Sequence, residues 1–106
     1  MNRVELRGLA EDRVLDAEAL LKEGRWSGAY YLAGHDVDTL VDAAGLQKER
    51  GLSIAANQAL SDNWLVVKDW KETDRYQAKN EDEARRLHQA VTENVNGVLP
   101  WIKMHW

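Results

Sequence analysis

Apolar residues recur at steps of three and four along most of this chain, and no segment carries the alternation and tight turn that a β-hairpin needs. That periodicity restricts the chain to helices, and the glycines decide where each helix stops. From Val4 to Glu23 the stripe runs Leu6, Leu9, Ala10, Ala17, Leu20 and Leu21, with Gly24 placed to end it. Ser27 is the expected N-cap of a short second helix with Ala29, Tyr30, Leu32 and Ala33 inward, ending at Gly34. Asp36 then caps a third helix, with Val37, Leu40, Val41 and Ala44 inward and Gly45 as its stop.

Residues 46–61 read as moderately helical with a break at Gly51, and 61–79 as an ordered connection that begins helically. Asn80 followed by Glu83 forms a capping-box pattern that opens a helix to Val95, with Ala84, Leu87, Val91 and Val95 inward and Gly97 as terminator. Pro100, the only proline, falls in the first turn of a last short helix, where a missing N–H is harmless. The fold class is all-α, and 106 residues make a single domain, 1–106.

Composition narrows the function classes. No apolar run approaches the roughly 18 residues of a membrane span, so no membrane partner is expected. The opening MNRVELRGLAEDR is charged and helical in pattern, unlike a secretory leader, and with no cysteine the expected location is cytoplasmic. The lack of cysteine excludes disulfides, thiolate metal sites and thiol nucleophiles. A net charge of −4 argues against broad phosphate binding. Five tryptophans without a phenylalanine stand near proposed helix ends, where they are expected to lock loops onto the core while each N–H finds an acceptor.

The histidines are His35, His88 and His105, and none shares the helical spacing of a metal pair, so neither metal nor cofactor is expected. Arg85 and His88, at i and i+3, could converge on a phosphate and form the only catalytic candidate. Against it, Glu81–Arg85 and Asp82–Arg86 have the spacing of a solvated, ion-paired face, the preferred reading. Lys68, Lys71 and Arg75 interleave with Trp64, Trp70 and Tyr76 in the manner of a single-stranded nucleic-acid platform. Asp69, Glu72 and Asp74 neutralise much of that charge, which favours aromatics docked on the core.

Four stretches, LAEDRVLDAEALLKEGRWSGAYYLAG (9–34), HDVDTLVDAAGL (35–46), WLVVKDWKETDRYQ (64–77) and GVLPWIKMHW (97–106), resemble the HEPN family of small helical domains. The W-x5-W-x4-R-Y arrangement and the closing G-V-L-P-W-I-K carry most of the likeness. It implies an up-and-down bundle of four to five helices. Relatives continue the A-Y-Y-L-A-G helix for several turns before a loop and the H-D helix, whereas here Gly34 meets His35 directly. The chain therefore resembles a HEPN domain lacking half of its second helix and the following loop. In a second alignment, His35 to Asp38 continue that helix.

Active members of the family are metal-independent ribonucleases with an R-x4-6-H motif, and here no arginine stands at that spacing before His35, His88 or His105. The resemblance thus implies a noncatalytic module, dimeric and paired with a small nucleotidyltransferase in a toxin–antitoxin-like system. Its alternative is a ribonuclease with a nonstandard site at Arg85 and His88. RNA or a nucleotide remains a candidate ligand, with Trp70, Arg75 and Tyr76 as candidate binding residues. The shortened helix also predicts a symmetric homodimer, with helix exchange as one route, to cover Leu9, Leu20, Leu87 and Val91.

Overall fold

The computed structural model describes residues 3–35 and 37–105, without the side chains of Arg3, Asp38, Thr39, Ala44, Arg75 and Tyr76. Among these residues there are seven α-helices and no strand: α1 (Arg3–Lys22), α2 (Trp26–Gly34), α3 (Val37–Ala44), α4 (Gln47–Ala56), α5 (Gln58–Lys68), α6 (Glu81–Thr92) and α7 (Val98–His105). A 3-10 turn at Glu72–Tyr76 lies between α5 and α6. The chain is all-α, and it is divided more finely than the four to five helices expected.

Two glycines end their helices as anticipated. Gly24 (φ 72°) and Gly45 (φ 67°) occupy the left-handed region. Each closes a paired turn, in which Gly24 N–H and Arg25 N–H donate to the Leu21 and Leu20 carbonyls, and Gly45 and Leu46 N–H to those of Asp42 and Val41. The capping box at Asn80 is complete, with Glu83 N–H donating to Asn80 Oδ1 at 2.9 Å and Asn80 N–H to Glu83 Oε1 at 3.2 Å.

Other boundaries move. α2 starts at Trp26 with Arg25 as an N-cap that supplies no side-chain bond, so Ser27 is already helical and its hydroxyl instead accepts Lys79 N–H at 2.8 Å. Gly51 does not break α4. A single interior glycine costs a helix only about 1 kcal/mol, and the break falls at Asn57, whose extended backbone ends α4 and whose Oδ1 caps α5 through Leu60 N–H. α6 stops at Thr92, short of Val95, which is 78% exposed. There Asn96 N–H donates to the Glu93 carboxylate and Gly97 N–H to the Glu93 carbonyl, a turn so close that a Cβ at Gly97 would strike the Glu93 backbone. The expected cap Asp36 and the terminal Trp106 lie outside the described residues, as does the side chain of Ala44.

α6 is the centre of the packing, in contact with α1, α2, α5 and α7. Its Ala84, Leu87, Ala90 and Val91 face Ala10, Val14, Ala17 and Leu21 of α1, Ala29 and Ala33 of α2, and Val98, Leu99 and Ile102 of α7, all in one core. The small residues of α1 and α2 on these faces let three helices approach closely. The radius of gyration is 13.1 Å, about that of a compact domain of this length. Leu87 and Val91 are fully buried by their own chain and Leu9 and Leu20 partly so. The core thus closes within one copy, and the uncovered stripe expected at the seam is not the reason to look for a second.

Candidate functional site

The Gly34–His35 seam is built around Trp70. α2 does end at Gly34, since His35 is extended (φ −64°, ψ 136°), so the helix itself does not run on past the seam. Gly34 is itself helical, and its value is space: a Cβ there would overlap Cδ1 and Cγ of the Trp70 ring. The indole lies across the helix end and donates its N–H to the Tyr31 carbonyl at 3.0 Å. That carbonyl belongs to the last turn of α2, so the indole binds at the C-terminal end of the helix. Tyr31 and His35 pack beside the indole with centroids 5.4 and 6.1 Å away, and Tyr31 Oη donates to Glu72 at 2.7 Å. Trp70, expected as a binding residue, has its indole N–H engaged at the end of α2. The side chains of Arg75 and Tyr76, proposed beside it, lie outside the described residues.

Beneath this dock is an ion pair that the sequence reading missed. Asp74 is 6% exposed; its carboxylate accepts Lys71 N–H at 2.7 Å and lies 3.6 Å from Lys79 Nζ. The same ammonium sits 4.5 Å above the Tyr30 ring and 3.8 Å from Glu83. Burial, with Asp74, Asp69 and Glu83 nearby, pushes the Tyr30 phenol above its ordinary range. Of three carboxylates in a row on the connection, nothing in the sequence marks Asp74 as the buried one. The one usable signal is Lys79, a cation placed directly before the capping asparagine.

Arg85 and His88 are not jointly presented. Arg85 Nε donates to Glu81 at 2.7 Å, while its guanidinium lies 5.3 Å from the centre of the Trp26 ring. His88 is half-buried, and its Nε2 is shielded from solvent with no hydrogen-bond partner. Burial pulls the imidazole below its usual pKa, Glu18 opposes this and Arg85 reinforces it. His105 stacks on Trp101 at 4.4 Å and hydrogen-bonds its carbonyl through Nδ1 at 2.9 Å. No group of three metal-ligating side chains converges among the described residues.

Trp64, Trp70 and Trp101 divide into two sets. Trp70 finds its acceptor, but the Nε1 atoms of Trp64 and Trp101, packed edge to face at 6.1 Å, are buried without one. For this pair the gain is ring burial alone. Trp64 also carries Arg50 over its face at 5.1 Å, so it offers no open platform for a stacked base.

Two of the surface hollows are lined by described residues. One, of about 510 Å³, lies where α4 and α5 meet the end of α3 and is lined by Asp42, Arg50, Ile54, Ser61, Trp64, Leu65 and Lys68. The other, about 530 Å³ and shallower, surrounds the α1–α2 turn from Leu20 to Gly28 with Lys79 at its edge. No helix among the described residues is long and apolar enough to cross a membrane. Comparisons with protein-family models, curated protein sequences and solved structures returned no match.

Proposed function

We propose that this chain is a noncatalytic, HEPN-like interaction module that acts as a homodimer and pairs with a small nucleotidyltransferase in a toxin–antitoxin-like system. The observation that supports the noncatalytic reading is that its catalytic candidates do not present a joint site. The Arg85 guanidinium is held by Glu81 and Trp26, and His88 Nε2 is turned away from solvent with its basicity lowered. Ribonuclease chemistry without metal needs an exposed base or acid within reach of the 2′-hydroxyl and a cation beside the phosphate. The family resemblance supports the partner class. Hollows of ligand-pocket size among the described residues also support a binding role.

Incubation with a mixed RNA pool, with and without divalent metal, is expected to leave the RNA intact. Cleavage that His88→Ala abolishes would overturn the noncatalytic reading in favour of a ribonuclease with a nonstandard site. Co-expression with the nucleotidyltransferase encoded beside this chain, where one is present, is expected to yield a complex that survives size exclusion.

A further inference from the structure

We propose that Asn96–Gly97 is a spontaneous deamidation site, held closed by the bonds that the α5 region makes to Asn96, so that the change marks chains in which this corner has opened. The reaction needs no enzyme and takes only water as co-reactant. It stands independently of the functional reading above.

Of the six asparagines in the chain, Asn96 alone precedes a glycine; the others precede Arg3, Gln58, Trp64, Glu81 and Val95. Glycine has no side chain to shield its amide nitrogen. That nitrogen, once it has given up its proton, can attack Asn96 Cγ. A Cγ–N bond forms, the Cγ–Nδ2 bond breaks, and ammonia leaves carrying the proton that the amide lost. Water then opens the cyclic imide. Attack at Cγ restores the ordinary peptide link and gives aspartate; attack at the former main-chain carbonyl carbon leaves Gly97 joined through the side chain, as isoaspartate.

The fold retains this labile pair and also restrains it. A Cβ at Gly97 would strike the Glu93 backbone, so the packing demands a glycine there. Gly97 is buried, and its N–H donates to the Glu93 carbonyl at 2.8 Å. Asn96 Oδ1 accepts Asn57 Nδ2 at 2.7 Å, its carbonyl accepts Asn63 Nδ2 at 2.8 Å, and its N–H donates to the Glu93 carboxylate. Ring closure requires the side chain to leave Asn57 and fold back on its own peptide link, and the Gly97 N–H to leave Glu93. Asn57 caps α5 and Asn63 lies within it, 39 and 33 residues before Asn96. The lock is therefore tertiary and vanishes on opening, whereas the reactive pair is local and persists. Asn57 is itself exposed and ends α4, a helix with no buried residue, so the corner can open by local fraying.

Once made, the mark is one-way, because the ammonia is lost to solvent. Aspartate at 96 sets a second carboxylate close to that of Glu93, and like charges oppose reclosure. Isoaspartate adds a carbon to the main chain within the turn that must bring the Gly97 amide back to Glu93.

Protein aged at mildly alkaline pH in buffer and in urea, then cleaved and mapped by mass spectrometry, is expected to convert Asn96 to aspartate and isoaspartate. The folded chain should react at least about tenfold more slowly, with the Gly97 amide comparably protected from hydrogen exchange. Asn57→Asp keeps an oxygen to cap α5 but removes the donor to Asn96. It is expected to speed conversion of the folded chain severalfold with unchanged helical circular dichroism. The deamidated chain, separated by its added negative charge, should melt at a lower temperature than the unmodified one. No conversion at Asn96 in urea overturns the site. Equal rates in buffer and urea overturn the gating, a readout that holds even if the Asn57 variant fails to fold. A folded Asn57→Asp chain that reacts at the wild-type rate overturns the part given to the α5 region, and an unshifted melting temperature overturns the one-way mark.

Discussion

His88 shows what a single half-buried ring can do to the stability of a helical domain. Its folded pKa lies below the ordinary 6.5, from burial first, so the unfolded chain takes up a proton more readily than the folded one. The stabilisation is therefore complete above about pH 6.5 and is lost as the pH falls from there toward the folded value. Melting temperature is expected to drop from pH 7.5 to pH 5.5, and His88→Gln to flatten that part of the profile. An unchanged profile in the variant would place the acid sensitivity elsewhere. Gly34 makes the complementary point about size. Adding one methyl at Gly34→Ala pushes into the indole of Trp70, and overpacking of this kind costs about 1–3 kcal/mol. Urea titration should show the loss as a lower midpoint with an unchanged slope.

At the scale of elements, the connection from Lys71 to Lys79 is held by polar contacts, of which the Asp74–Lys79 pair is shielded from water. Lys79→Met leaves Asp74 buried with only the Lys71 N–H to satisfy it. Breaking one side of such a pair costs about 3–5 kcal/mol, and the remaining backbone bond favours the lower end. A combined Asp74→Asn and Lys79→Met chain is expected to recover part of that loss. Strict additivity of the two changes would show that the pair is uncoupled.

These elements also show which features the sequence made legible. Helix starts and stops that depend on neighbouring residues were readable, as at Gly24, Gly45 and the Asn80–Glu83 box, because the physics is local. Ser27 and Gly51 misled because their surroundings are set by distant chain: Lys79 claims the serine hydroxyl, and Asn57 ends the helix that Gly51 was expected to break. At the candidate site, the i, i+4 pairing of Glu81 with Arg85 was legible. The role of Trp70 was not, since it depends on a carbonyl 39 residues earlier in the chain.

For the whole molecule, α6 supplies the order of assembly. It touches both the N-terminal pair α1 and α2 and the later α5 and α7, so neither side has a finished core until residues 81–92 are in place. α4 stands outside this arrangement, attached through α5, and it can change its surroundings without disturbing the buried leucines and valines of the centre.

The indole of Trp70 on the last turn of α2 has a further meaning during synthesis. A nascent chain leaves the ribosome N-terminus first, at about 5–20 residues per second. α2 is made early, yet the donor for its Tyr31 carbonyl and the amide that meets Ser27 arrive only with residues 70 and 79. For several seconds the growing polypeptide carries this helix end without those two contacts, beside the Tyr31 and His35 rings that the indole has yet to meet. Its exposure to chaperones and proteases is therefore timed by the translation of the segment between them.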